Sequence, residues 1–236
     1  MPKSQITQTR MEANQKEIAQ VSRRKFLGFA GAATGLIVVA SSCNKNDSPT
    51  GSTGTADVDL GSGDFGILNY AYALEQLEAA FYTKVIDSPY SGIPAQELAM
   101  LTDIRDHEIA HREFFKTVLA DKAIGDLEFK WTGIDFASRD SVLATAKAFE
   151  DLGVAAYNGA GRLIVMADYL VVAGQIVSVE ARHAAYIRDI ISNGTFADDT
   201  VVDAMGLDGS KKPLEVLEIA SNYIVTTIDA SNLPTY

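Results

Sequence analysis

The chain has 236 residues, 47% of them hydrophobic and 22% charged, with a formal net charge of −11. That is enough apolar material for one ordinary core plus accessory segments, and the acidity argues against a nucleic-acid partner, since it repels a phosphate backbone. Residues 1–43 hold six of the 20 basic side chains and only two of the 31 acidic ones, so the negative charge belongs to residues 44–236.

The first stretch reads as an export signal. In "SRRKFLGFAGAATGLIVVASSC" (22–43) a basic cluster precedes an apolar run over 26–40. The run is short for a membrane span, which needs about 20 apolar residues, and it ends in small residues as secretory signals do. "SRRKFLG" resembles the twin-arginine export signal, with Arg23 and Arg24 as the pair. Cys43 is the only cysteine, which excludes an intrachain disulfide. It closes "ASSC", which resembles the lipobox of bacterial lipoproteins, although Ala40 stands where leucine is usual. The expectation is a protein of the cell envelope or periplasm, held to a membrane by a lipid on Cys43. Simple cleavage nearby is the alternative. Residues 44–63, rich in Gly, Ser, Thr and Asp, read as a flexible tether, and 64–236 as the folded domain.

Four segments with helical periodicity come next, over 65–86, 94–120, 141–163 and 167–192. A weaker fifth starts at Pro213, a favoured first helical position, and is expected to reach 228. "LEFKWTGIDF" (127–136) is the best strand candidate, or else an extended loop. Its Trp131 and Phe136 are expected to cap an end of the bundle, and the glycines of "YNGAG" (157–161) to serve close helix packing near the site. Most links are short, so neighbouring helices should run antiparallel. The long link over 121–139 is what a four-helix bundle with one crossover requires.

Each long helix carries polar residues inside its apolar seam. Leu101, Ile104, Glu108, His111, Phe115 and Val118 recur at steps of three and four, as do Ile176, Glu180, His183, Ile187 and Ile190. Glu75 lies in the seam Leu68, Ala71, Ala79, Tyr82, and Glu150 in the seam Leu143, Ala146, Gly153, Tyr157. The Glu–His pairs therefore point inward. An unpartnered buried carboxylate costs several kcal/mol, on the order of what protonation would relieve, so something must compensate it.

The two halves also repeat. "LEQLEAAFY" (74–82) aligns without a gap to "FEDLGVAAY" (149–157), placing Glu75 on Glu150 and Tyr82 on Tyr157, and "EIAH" (108–111) then falls on "EARH" (180–183). Two such halves about a pseudo-twofold axis gather four carboxylates and two imidazoles, and two divalent metal ions would balance the four negative charges. Carboxylate with imidazole suits iron or manganese, and thiolates are lacking. Glu78, one turn after Glu75, could take its place or join it, although Gly153 is its counterpart in the repeat. His107, beside Asp106, falls on another face and reads as a surface or satisfied histidine and not a ligand.

Over 65–193 the chain resembles the ferritin-like di-metal carboxylate superfamily, and among its members the exported bacterial ferritin-like domain proteins. The resemblance implies an all-α, ferritin-like four-helix bundle with one long crossover, here followed by a C-terminal fifth helix. It implies Glu108 and Glu180 as bridges between two metals, iron before manganese, and Glu75 and Glu150 as terminal ligands. His111 and His183 would each serve one metal, and Tyr82 and Tyr157 would hydrogen-bond ligand carboxylates. It further implies reaction with O2 or H2O2 in a ferroxidase or peroxidase-like oxidoreductase. A dimanganese catalase-like enzyme and a non-enzymatic, metal-stabilised stress protein of the envelope are the alternatives. A homo-oligomer is compatible with all three.

Overall fold

The computed structural model describes residues 58–236; the expected signal, with Arg23, Arg24 and Cys43, lies outside the described residues. Four long helices and a short fifth make up the fold: α1 (Gly63–Asp87), α2 (Ala95–Leu119), α3 (Arg139–Gly161), α4 (Ala167–Ile191) and α5 (Pro213–Ala220). The observed ends of the long helices fall within two residues of the expected ones. A parallel two-residue pairing joins β1 (Val58–Asp59) to β2 (Ile228–Asp229). α1 packs along α2 and α3 along α4, while α1 against α3 joins the two hairpins. No described helix is long and apolar enough to cross a membrane.

α1 is the central element, buried on nearly every side. Its polar residues show why. Asn69 and Gln76 lie two turns apart on one face, and both clamp the start of the crossover. The Asn69 amide donates to the carbonyls of Leu60 and Lys122 at 3.1 and 2.9 Å, while its oxygen accepts from the Ile124 N–H at 3.0 Å. Gln76 accepts from the Leu127 N–H at 2.9 Å and donates to the Gly125 carbonyl at 3.3 Å. A non-helical segment can lie against a buried helix only when its backbone is satisfied in this way.

Two charged knots set the helix register. Arg139, at the start of α3, forks onto Glu97 near the start of α2, with its closest contact at 2.6 Å, and donates to the Ile190 carbonyl near the end of α4. Tyr90 donates to the same carboxylate. Arg188 of α4 forms a fork of two 2.7 Å bonds to Asp151 of α3, next in sequence to Glu150.

Four expectations change. The tether ends earlier than residue 63: β1 pairs with β2, and Leu60 is fully buried. The strand candidate is a loop apart from one bridge, Phe129 to Ile224, and Trp131 and Phe136 close a cluster over Phe81. The fifth helix stops at Ala220 instead of 228, because the chain turns at Ser221–Tyr223 to bond the crossover: Lys130 N–H to the Tyr223 carbonyl, Val225 N–H to the Glu128 carbonyl. The glycine of "YNGAG" that admits a close neighbour is Gly159, and the neighbour is a loop. A Cβ there would lie 1.7 Å from the Lys211 carbonyl oxygen, whose own N–H bonds to Ala155.

Gly159 and Gly174 give a paired test. Gly174 is also inside a helix, but a Cβ there meets nothing within 4 Å. In urea denaturation Gly159→Ala should lose about 1–3 kcal/mol through overpacking, whereas Gly174→Ala should gain about 0.4–1 kcal/mol by restricting the unfolded chain. Equal effects of the two would contradict the packing described.

Candidate metal centre

Each of the four central helices delivers its part at mid-length: Glu75 from α1, Glu108 and His111 from α2, Glu150 from α3, Glu180 and His183 from α4. Spacings of three and four residues keep each Glu, and each Glu–His pair, on the inward stripe of its helix. All four carboxylates have no solvent exposure at all.

The contacts repeat in the two halves. His111 Nδ1 lies 2.9 Å from Glu180 Oε1, 3.5 Å from Glu75 Oε2 and 3.6 Å from Glu108 Oε2. His183 Nδ1 lies 2.8 Å from Glu108 Oε1, 3.4 Å from Glu150 Oε2 and 3.7 Å from Glu180 Oε2. Each imidazole thus faces one outer carboxylate of its own half and one oxygen from each of Glu108 and Glu180. Two four-residue groups result, in which ligand-type atoms all lie within 4.8 Å of one another: Glu75, Glu108, His111, Glu180 and Glu108, Glu150, Glu180, His183. Glu108 and Glu180 belong to both.

The tyrosines cross between the halves. Tyr82 donates to Glu150 Oε1 at 2.5 Å, and Tyr157 donates to Glu75 Oε1. Each outer carboxylate therefore has one oxygen held and the other, Oε2, left toward the cluster. Burial raises the pKa of both hydroxyls well above the usual range and the adjacent carboxylates add to this, so both remain donors.

The inward atoms lack partners. Among the described residues nine buried side-chain atoms make no hydrogen bond, and eight of them are Glu75 Oε2, Glu150 Oε2, both oxygens of Glu108 and Glu180, and the two histidine Nδ1 atoms. Even the 2.8 and 2.9 Å contacts lack hydrogen-bond geometry. Native interiors leave few such atoms, and eight in one place call for a cation. The donor set, six carboxylate oxygens and two imidazole nitrogens, fits a pair of divalent ions.

Electrostatics agree. Burial, followed by the charge of Glu180, pushes Glu108 well above the carboxylate range, and burial lifts Glu150 to about 7. Burial would raise Glu180 as well, but His111 and His183 outweigh it and hold it at about 2. Burial disfavours the charged form of both histidines, yet the surrounding carboxylates raise them far above the usual imidazole range. The cluster thus favours positive charge at its two imidazoles.

The sequence-derived residues divide accordingly. The six expected ligands and both tyrosines come together. Glu78 stands in neither convergent group. It is buried toward Gly153, where a Cβ would lie 3.1 Å from its Oε1, so the missing side chain at 153 makes its space. Burial and then the charges of Glu180 and Glu108 push it well above the usual range. His107 is exposed, as a surface histidine should be, and stands in neither group, yet its Nδ1 lies 2.9 Å from His183 Nε2. The signal that could have found it is position, since it immediately precedes Glu108 and starts the turn that holds the site.

A cation should therefore stabilise the fold. Metal-stripped protein should melt lower than protein with Mn(II), by about 2.7 kcal/mol at a hundredfold excess over Kd. Glu108→Gln should leave the stripped protein about as stable as wild type, because burial already disfavours the charged form of Glu108 there, and should cancel most of the Mn(II) increment. A variant less stable when stripped, with the increment intact, would contradict the cluster's role.

The family described as "Ferritin-like domain" matches residues 63–193, more than half of the 236-residue chain and the whole of α1 to α4. A search of curated proteins returns no match. A buried cluster of four glutamates and two histidines on four paired helices, together with that match, leads to one conclusion: the chain belongs to the ferritin-like domain family.

Proposed function

We propose that the protein is an exported di-metal carboxylate protein, with iron favoured over manganese, that reacts with O2 or H2O2 as a ferroxidase or peroxidase-like oxidoreductase. The observation that carries the reading is the set of eight unpartnered buried atoms on Glu75, Glu108, His111, Glu150, Glu180 and His183. Glu108 and Glu180 would serve both ions, since each turns one oxygen toward His111 and the other toward His183. Glu75 and Glu150 would each hold one ion through Oε2, because Tyr157 and Tyr82 occupy Oε1. When bound there, a pair of iron or manganese ions supplies the redox couples for reaction with the oxidant.

The chain's residues do the rest. The aliphatic and aromatic seam around the carboxylates keeps bulk water from them. Tyr82 and Tyr157 orient the terminal carboxylates and hold a proton beside them. Arg188 on Asp151 fixes the α3–α4 register that brings Glu150 to Glu180. The acidic composition suits a protein that takes up cations.

Two experiments test this. Protein loaded anaerobically with Fe(II) should consume O2 or H2O2 much faster than aqueous Fe(II), followed by stopped-flow absorbance in the near-ultraviolet. Tyr82→Phe should keep both ions, with affinity lowered by about 10–100-fold, and should alter the time course. A loaded protein inert to both oxidants would favour a structural, stress-protective role for the metals, and O2 release from peroxide by the manganese form would favour a catalase-like one.

The second experiment concerns address. "SRRKFLG" supports twin-arginine export, and Cys43 after small residues supports a lipid anchor to an envelope membrane. Changing Arg23 and Arg24 to Lys should leave precursor in the cytoplasm, and Cys43→Ala should release the protein from the membrane fraction. Normal export of the double-Lys variant in cells without the twin-arginine translocase would refute the route.

A further inference from the structure

We propose that His107 is a positioning residue for His183 and makes the two metal positions unequal, the one built on His183 taking its ion first and more tightly. This rests on the reading of the cluster as a two-metal site. The inner contacts do not distinguish the halves: 2.9, 3.5 and 3.6 Å around His111 Nδ1 against 2.8, 3.4 and 3.7 Å around His183 Nδ1. What differs lies one step outward.

A ring nitrogen that holds a cation must present its lone pair, so the proton of a neutral imidazole must sit on the other nitrogen. For His183 that other nitrogen, Nε2, lies 2.9 Å from His107 Nδ1. The ring planes differ by 7° and the centroids are 5.2 Å apart, so the bond joins two nearly parallel rings edge to edge. His183 Nε2–H donates, His107 Nδ1 accepts, and the remaining proton of His107 is on its own Nε2. Through this bond His107 fixes the ring angle of His183 and selects the tautomer whose Nδ1 lone pair faces Glu108 and Glu150.

The other half has no equivalent. The repeat that places Glu108 on Glu180 places His107 on Val179, which can accept nothing. Among the described residues no side chain hydrogen-bonds His111 Nε2, and the His111 side chain is 13% exposed against 5% for His183. His111 must therefore settle tautomer and angle on binding. Outer partners of ligating histidines are worth about 10–100-fold in metal affinity. The effect of His107 should be of that size and confined to one position.

The test is a competition titration of the metal-free full chain with Co(II), read by its visible absorption, beside 15N NMR of the histidines. Wild type should bind two ions in two steps separated by about 10–100-fold. His107→Ala should still bind two, with the steps merged, and the metal-free His183 should lose the downfield shift of its hydrogen-bonded Nε2–H. His107→Asn, whose carbonyl oxygen can accept where Nδ1 did, should restore both the separation and the hydrogen-bonded Nε2–H signal, which a merely structural role would not require. Two equal steps in wild type, or a separation unchanged in His107→Ala, would overturn this inference and leave the metal reading intact. Fewer than two ions in wild type would overturn both.

Discussion

Four carboxylates without solvent exposure lie at the centre of this protein, and the rest of the structure depends on how their charge is met. Each such group costs several kcal/mol to bury, on the order of a large share of a domain's net stability. Their mutual repulsion adds to that cost. Two imidazoles and two tyrosine hydroxyls meet part of it. The unpartnered oxygens and nitrogens mark what is left for a cation, so the atoms that weaken the bare fold would stabilise a metal-bound one. Folding and metal uptake would then be two parts of one equilibrium.

The bundle is built to hold this arrangement in register. Two hairpins with the same pattern bring two copies of one half-site face to face, and each tyrosine reaches across to the carboxylate of the other half. Neither hairpin can complete the centre alone. The charged knots, Arg139 on Glu97 and Arg188 on Asp151, tie helix ends and neighbours together away from the cluster. The crossover, which must join the halves without regular structure, is held to α1 through Asn69 and Gln76. Symmetry of the inner shell is thus combined with asymmetry outside it, where His107 stands opposite Val179 in the repeat.

Much of this is legible in the sequence because it is periodic. The helices, their inward stripes and the repeat of Glu-x6-Tyr and Glu-x2-His are local patterns, and side chains three or four residues apart must share a helix face. Glycine opposite Glu78 in the repeat already separates Glu78 from Glu75. The features that escape are non-local. Nothing near Asn69 or Gln76 announces the loop they hold, and Gly159 looks like any helix glycine until Lys211 is brought over it from 52 residues away. α5 ends early because residues 223–225 bond the crossover, a pairing across almost a hundred residues. His107 escapes because its helical angle points off the seam. A side chain at the flank of a stripe can still reach a ligand on the adjacent helix, and periodicity within one helix does not register this.

The central claim, that the cluster holds two ions with Glu108 and Glu180 between them, is tested most directly by anomalous diffraction from crystals grown with Mn(II). Two peaks per chain are expected, one beside His111 Nδ1 and Glu75, the other beside His183 Nδ1 and Glu150, both within reach of Glu108 and Glu180. A single peak, or metal bound away from these six residues while the bundle stays intact, would contradict it.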